Sequence, residues 1–536
     1  MTPNNSFIDR QSRSFDEQRQ EMLRLTSNVE ALERKVAARS ASQAERFRKR
    51  GQLLPRERLA LLFDPGEPQI PLSALAGLGM HDDDGENEVL GAALIVRIGI
   101  VEGVRVMAIC HDSAIKGGAT SPMGLAKFLR AQEIALQNRL PIVMLVESAG
   151  ANLTYQSEMF VQGGRRFFNM ARLSATGIPQ IAVVHGSSTA GGAYIPGMSD
   201  YTIMVRHKAK IFLAGPPLLK AATGEIATDE ELGGVDMHAS VAGTTEFVAE
   251  NDAHAVSIAR SVVAQLGWPK AQPFGPGGPE PLYAADEIAG VVPPDYRKPY
   301  DIKELVIRLV DGSETLDFKP GFGSNMYCGM AEIEGMPCAF IGNNGPIQAA
   351  EAAKTAQFIQ LCTQARKPIV FLQNTTGFMV GVEAERSGII KHGAKMLQAV
   401  ANTPVPKITL VVGGSFGAGN FAMCNRSYEP RFIFAWPNSR VAVMGGDQAT
   451  RVLEIIAERK NGKVDESKKD RRAQQRAEIL ERYDRESTAL YATARLWDDG
   501  IIDPRSSRRV LALCLAVCRD ADNRQLAPIT FGVGRM

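Results

Sequence analysis

No stretch of the 536 residues approaches the roughly 18 consecutive apolar residues that a membrane-spanning helix needs, so no membrane partner is expected. An excess of charge of one sign is missing too. Lys and Arg number 61 against 59 Asp and Glu, and a net charge of +2 gives no broad field for steering nucleic acid or an anionic membrane. Any anionic ligand must be held locally. The seven cysteines are scattered and free of CxxC spacing, which argues against a disulfide framework or a zinc ribbon and for a reducing compartment. Cys514 and Cys518 sit four apart and share a helix face. Without further ligands in view they read as core packing, and no metal is expected. No Gly-x-Ser-x-Gly elbow, Walker loop or His-Glu-x-x-His motif occurs, which removes the usual hydrolase, nucleotide-binding and metalloprotease signatures. The N-terminal segment carries Asp9, Asp16, Glu17 and Glu21, acids that a transit peptide avoids, so the expected location is the cytoplasm.

What the chain does contain is a copy of itself. Pro141-Ile142-Val143-Met144-Leu145 reads against Pro368-Ile369-Val370-Phe371-Leu372, a step of 227 residues, Pro368 against Pro141. The same step relates Ile178-Pro179 to Val405-Pro406, Gly192 to Gly419 and Lys127 to Lys354. A constant step over so long a span marks a duplication. Each copy alternates apolar runs with helix-like polar stretches. Runs such as Ile142 to Val146 are continuously apolar, as for strands covered on both faces, so the fold class is α/β in two tandem repeats. The Pro- and Gly-rich stretch after Trp268 blocks regular structure and reads as a linker. The expected organisation is a helical arm over 1–50, a first domain over 51–268, a linker over 269–290 and a second domain over 291–536. The charged stretch Arg451 to Glu486 reads as a solvated helical insertion.

The chemistry lies in two glycine clusters at equivalent places. His185-Gly186-Ser187-Ser188-Thr189-Ala190-Gly191-Gly192 follows one apolar run, and Gly413-Gly414-Ser415-Phe416-Gly417-Ala418-Gly419 follows the other. If helices start there, a ligand oxygen can approach free backbone N–H groups with the helix dipole favouring negative charge, which describes two oxyanion holes. Close helix–strand packing is the other explanation of such glycines. Side-chain catalysts are less visible. Glu147 follows a strand and could be a general base or a satisfied terminal carboxylate. His111 and His185 end apolar runs but join no nucleophile–His–acid arrangement.

Together with Lys49-Arg50-Gly51-Gln52-Leu53-Leu54-Pro55-Arg56-Glu57-Arg58 and Asn374-Thr375-Thr376-Gly377-Phe378-Met379-Val380-Gly381, the glycine clusters resemble those of carboxyltransferase β subunits of biotin-dependent acyl-CoA carboxylases. The resemblance implies a crotonase-like (ClpP/crotonase) fold in each half, acyl-CoA on the first and biotin on the second. It implies a homo-oligomer, a hexamer, whose active sites form between the first domain of one protomer and the second of another. It further implies that the Gly191 and Gly192 amides stabilise the thioester enolate, and the Ala418 and Gly419 amides the biotin ureido enolate. Ala149, Gly150, Gly163, Gly164, Thr120 and Ser121 would then contact the acyl-CoA, and Thr376, Gly377, Phe378 and Gly381 the biotin. The chain has no biotin-acceptor Met-Lys-Met turn, since Lys395-Met396 stands in a different context, and no ATP-binding domain. The resemblance therefore calls for a separate, biotinylated α subunit with biotin carboxylase and carrier domains.

Glu147-Ser148-Ala149-Gly150-Ala151-Asn152-Leu153 is similar to the Asp-Ser-Gly-Gly-Ala-Asn-Leu of methylcrotonyl-type subunits, whereas propionyl-type subunits place Arg at Asn152. That points to carboxylation at the γ carbon of a 3-methyl-2-enoyl thioester. Methylcrotonyl-type chains carry Phe where this chain has Gly163, and larger residues at Thr120 and Ser121. The space so left predicts a longer acyl tail: geranyl-CoA in acyclic terpenoid catabolism, with 3-methylcrotonyl-CoA of leucine catabolism as the alternative. A glycine suiting the backbone of a shortened loop would explain Gly163 without a pocket. A lone crotonase-type hydratase is disfavoured by the duplication, and a non-catalytic scaffold by the intact glycines. The carboxyltransferase of a membrane decarboxylase pump remains a rival that only the partner distinguishes.

Overall fold

The computed structural model describes residues 2–81, 89–272, 277–461 and 469–529. The first half contains β1 (Leu94–Val101), β2 (Val104–His111), α1 (Pro122–Gln137), β3 (Ile142–Ser148), α2 (Gln156–Ala175) and β4 (Gln180–Thr189). The second repeats it as β5 (Met326–Ile333), β6 (Met336–Asn343), α3 (Ala349–Gln364), β7 (Ile369–Thr375), α4 (Ile389–Asn402) and β8 (Lys407–Phe416). Each half builds a mixed sheet. β1–β2 and β5–β6 are antiparallel hairpins, after which β2–β3–β4 and β6–β7–β8 run parallel. Every residue of β2, β3 and β8 is buried, or nearly so, which is why these runs are apolar without alternation.

The duplication is copied down to irregularities. The β3–β4 register shifts between Val146 and Ser148, and the β7–β8 register between Gln373 and Thr375, again 227 residues on. The isolated bridges Thr120–Ala151 and Ile347–Phe378 keep the same step. Lys127 Nζ donates to Gly91 O (3.1 Å) and Leu94 O (2.6 Å), and Lys354 Nζ to Gly323 O (3.3 Å) and Met326 O (2.8 Å). Each lysine thus ties its helix to the first residue of the strand that opens the hairpin. Burial pushes the Lys127 ammonium down to about 7.

The glycine clusters do not lie wholly after their strands. β4 runs through His185–Thr189 and β8 through Gly413–Phe416, because a second strand joins each end: Lys210–Phe212 on Ser187–Thr189, and Arg440–Ala442 on Gly414–Phe416.

The chain forms two compact units whose bounds depart from the linear halves. One comprises Ala31–Pro273, Ala494–Leu496 and Ala516–Met536, the other Met1–Glu30, Phe274–Thr493 and Trp497–Leu515. The start of the chain belongs with the second half because Thr2–Pro3 pairs with the strand Glu314–Asp317 and Phe15 packs on Gly290. Its end belongs with the first half because Asp520 pairs with the buried Arg105 at 2.9 Å and Arg139 donates to Ala521 O. The arm contains one long helix, Arg13–Ala41, and the end of the linker is helical over Ala285–Val291. Linker positions 273–276 and positions 462–468 of the charged stretch lie outside the described residues; the remainder of that stretch falls on helices Gly446–Asn461 and Lys469–Glu486.

Where β4 passes β3, only glycine fits. A Cβ on Gly186 would lie 2.7 Å from Glu147 Cγ, and one on the equivalent Gly413 2.4 Å from Asn374 Oδ1. Gly413→Ala is expected to cost about 1–3 kcal/mol, because the half-buried Asn374 side chain must move out of its place. Denaturant unfolding that shows no loss of stability would contradict this packing.

Candidate functional site

Both turns begin with a backbone reversal. Ala190 has φ +52° and Gly417, its equivalent, φ +55°. The 3₁₀ segment Ala190–Ala193 and the helix Gly417–Ala422 follow, so the amides of Gly191, Ala418 and Gly419 stand in first turns without an intrahelical acceptor, while that of Gly192 stands at the i→i+3 position from Thr189 O. In the first unit, Ser188 Oγ donates to Gly192 O at 3.0 Å, fixing the turn to the strand that leads into it.

The preceding strand brings a second loop to each turn. Ser148 Oγ donates to Gly118 O (2.9 Å) and accepts from Gly150 N (3.2 Å), and Thr375 Oγ1 accepts from Gly377 N at 3.1 Å. Ala149 N and Thr120 N are bonded to the facing loop, to Gly117 O and Gly150 O. A Cβ on Gly150 would lie 3.3 Å from Thr189 O, and one on Gly419 only 2.8 Å from Gly377 Cα. Ala149, Gly150 and Thr120 are thereby gathered beside Gly191, and Thr376 and Gly377 beside Gly419. Ser121 is different: it is buried, and its Oγ caps α1 by accepting from Gly124 N at 3.0 Å. Phe378 is half-buried on Gly393, while Gly381 starts the helix Val382–Arg386 in open space.

Gly163 and Gly164 lie inside α2, not in a loop, and a Cβ on either would meet nothing within 4 Å. Gly163 stands one helical turn before Phe167, so the two share a face. Phe167 is the nearest neighbour of a Cβ built on Gly191, at 3.8 Å, and packs edge-on against Tyr194 with centroids 5.7 Å apart. The loop explanation of Gly163 is thereby removed: its backbone is ordinary helix.

Glu147 is no free base. It sits in β3, with Oε2 2.7 Å from Nη1 of the fully buried Arg58, whose Nε reaches Asp252 at 3.0 Å. His185 Nδ1 lies 2.9 Å from the other Asp252 oxygen, and burial together with the Arg58 charge lowers its pKa. Gln52 Nε2 closes the cluster onto His185 O at 2.8 Å. Burial takes His111 down to about 4, so it too is neutral at physiological pH. Sequence reasoning missed Arg58 and Asp252 as partners because they come from distant segments with no shared motif.

It missed a cavity as well. A space of about 460 Å³ opens beside Ala418, walled by Phe421, Val443, Ala435 and Trp497, with Asp498 at its lining. Asp498 accepts from Gly500 N at 2.9 Å, and burial, assisted by Asp499, pushes its carboxyl up to about 7.

A match to the carboxyl transferase domain spans residues 46–529. The chain belongs to this carboxyl transferase family. Its relatives include the probable biotin-dependent acyl-coenzyme A carboxylase β2 subunit of Mycobacterium tuberculosis, 44% identical over 99% of both chains. The mitochondrial methylcrotonoyl-CoA carboxylase β chain of Dictyostelium discoideum is 48% identical over 91% of this chain and 83% of its own. Among solved structures, the geranyl-CoA carboxylase β subunit of P. aeruginosa is 54% identical, with a TM-score of 0.93 and full coverage of both chains. The carboxyl transferase fold and the enzyme class, a biotin-dependent acyl-CoA carboxylase component, are thus shown, and the geranyl and methylcrotonyl readings both fit these relatives.

Asp498→Asn tests the cavity's electrostatics. An Asp that is neutral until about pH 7 when folded, but ionises near 3.8 when unfolded, loses stability as pH rises between those values, by about 1.4 kcal/mol per pH unit. The stability of the Asn variant relative to wild type is expected to rise across that window and level off above it. Parallel curves from pH 4 to 8 would show Asp498 to be ionised.

Proposed function

We propose that the chain is the carboxyltransferase β subunit of a geranyl-CoA carboxylase, acting on the γ carbon of a 3-methyl-2-enoyl-CoA. The observation that carries the substrate choice is Gly163: an unforced, half-buried helical glycine with open space where a Cβ would stand, on the α2 face whose Phe167 borders the Gly191 turn. A helix-interior glycine costs about 1 kcal/mol relative to alanine. Nothing in the chain's own packing requires one here, so the space serves something outside the chain. The 54% identical geranyl-CoA carboxylase β subunit supports this choice, and the methylcrotonoyl-CoA relatives support 3-methylcrotonyl-CoA as the second reading.

The first-half unit takes the acyl-CoA and the second-half unit the biotin. The Gly191 and Gly192 amides hold the thioester oxygen as it gains enolate charge, with Ala149, Gly150 and Thr120 lining the approach. Ala418 and Gly419 offer their amides to the ureido oxygen beside the apolar cavity, whose walls and free donors fit a ring of that kind. Thr376, Gly377 and Gly381 lie along the same approach, and Phe378 packs behind it. Carboxybiotin, delivered by a biotinylated α subunit, supplies the carboxyl group as its N–CO2 bond breaks, and the freed ring nitrogen can take the γ proton. The chain's own part is preorganised dipoles: one such donor is typically worth about 3–4 kcal/mol of barrier, so no side-chain base is needed.

Exposed apolar residues flank both turns. Leu153, Phe160 and Val161 crowd one unit, and Val380, Val382, Ile390 and Val443 the other. Faces of this kind support a β-subunit oligomer, a hexamer, with each site shared between two copies. The seven cysteines, all free and buried, support a reducing, cytoplasmic location.

Two substitutions test the turns. A Cβ on Gly192 makes only ordinary contacts, with Ser188 Oγ at 3.6 Å and Ser148 at 3.9 Å, so Gly192→Val should fold and lose transfer by about 100-fold or more through blocked access to the amides. Gly419→Val is unsuitable, since its Cβ would strike Gly377. The exposed Ala418→Phe serves instead, and near-normal turnover in either variant would defeat the assignment. For the substrate, wild type is expected to prefer geranyl-CoA over 3-methylcrotonyl-CoA, and Gly163→Phe to reverse that order. A geranyl preference left intact by Phe would refute the pocket.

A further inference from the structure

Beneath the second turn lies a set of buried side chains that the first turn lacks. Ser415 Oγ donates to Gln373 Oε1 at 2.8 Å, and Asn420 Nδ2 donates to Ser415 Oγ at 2.7 Å. Gln373 Nε2 donates to Met423 O at 2.7 Å, and Asn425 Nδ2 to Asn420 Oδ1 at 2.6 Å. Gln373 and Ser415 are fully buried, and Asn420 nearly so. The set joins the ends of β7 and β8 to the helical segment that holds Ala418 and Gly419. Every member is neutral, and the donor and acceptor of each amide are used, so its orientation is fixed.

The equivalent positions in the first half are Val146, Ser188 and Ala193, which cannot form such a set. Support comes there from Glu147, whose charge is answered by Arg58. At the position equivalent to Glu147 the second half has Asn374, again neutral. In the first half the carboxylates of Glu147 and Asp252 share the one cation Arg58, whereas the second half carries no charge at the position equivalent to Glu147. A buried carboxylate without a counter-ion would oppose any negative charge gathering on the ligand.

We infer that Gln373, Ser415 and Asn420 are positioning residues for the second turn, aiming the Ala418 and Gly419 amides through neutral hydrogen bonds alone so that the set itself adds no buried charge opposing the anionic ligand received there. The inference rests on the proposed role of that turn.

Gln373→Glu separates positioning and charge from mere packing. A protonated Glu reproduces both functions of the amide, its OH donating to Met423 O and its carbonyl accepting from Ser415. An ionised Glu loses the donor and adds a charge, and burial raises its pKa into the working range. Titratable groups on the surrounding segments are Cys424, Arg426 and Asp498, with Lys391, His392 and Lys395 on α4.

In the complex reconstituted with its biotinylated partner, the kcat of Gln373→Glu relative to wild type should fall about tenfold or more at pH 8–9 and return toward unity near pH 6, with KM for acyl-CoA unchanged. In the β subunit alone, amide hydrogen exchange over residues 415–423 should be faster than wild type at the high pH only. Asn420→Asp is read in the same way if Gln373→Glu does not fold. A relative rate that is unchanged, or depressed equally at every pH, overturns the inference. If Ala418→Phe keeps its turnover, the role of the turn falls and the inference with it. If Ala418→Phe is inactive while Gln373→Glu matches wild type throughout, the inference alone falls.

Discussion

The left-handed residue that ends each long parallel strand is the constraint on which both turns depend. Without the reversal at Ala190 and Gly417, β4 and β8 would carry their amides on into ladder hydrogen bonds and present none to a ligand. Gly417 takes this conformation freely, but Ala190 bears a cost of about 1–2 kcal/mol for its Cβ. The surroundings hold it there. Ser188 ties the following turn to the strand, and the Lys210–Phe212 strand pins the residues before it. Backbone strain that sits beside the free amides, and is imposed from both sides, belongs with the exposure of those amides.

The same strands force a second economy. Where β4 crosses Glu147 and β8 crosses Asn374, a side chain on the crossing strand has no room, so Gly186 and Gly413 are fixed by their neighbours' side chains. The glycine clusters therefore serve packing and ligand access at once, with different glycines in each service. Gly186 and Gly413 are packing residues. Gly192, whose Cβ would have ordinary contacts, is free to serve access. Gly419 does both, since it also abuts Gly377.

Periodic features of this kind are legible in the sequence because the duplication writes them twice: the step of 227 residues locates the strands, the register shifts and the two turns. What is not legible arises between segments without a common motif. Arg58 pairs with Glu147 from 89 residues before it and also with Asp252, 105 residues after Glu147, and Asp498 reaches its cavity from near the chain's end. The domain bounds were hidden for a related reason. The termini are tied to their units by a short strand, a few ion pairs and buried residues such as Phe15 and Met22, none of which names its partner in the sequence. Gly163 lay between the two cases. Its sequence context allowed either a loop or a pocket, and the helical path of α2 removes the loop.

Duplicated halves start with the same residues under each turn and can diverge only where the support is redundant. The first half retained a carboxylate beside its turn. A buried Glu147 is tolerable only with a counter-charge, because burial without one costs several kcal/mol, and Arg58 supplies it while also pairing with Asp252. The second half replaced the charge with amides and bears no such debt. It gained instead a requirement for complete hydrogen bonding among Gln373, Ser415 and Asn420, since a half-satisfied polar set is worse than an apolar one. The first turn is consequently anchored to elements far along the chain, the second to its own strands and the residues just beyond it. Substitutions at a distance should therefore trouble the first turn, while the second turn answers mainly to its immediate sequence.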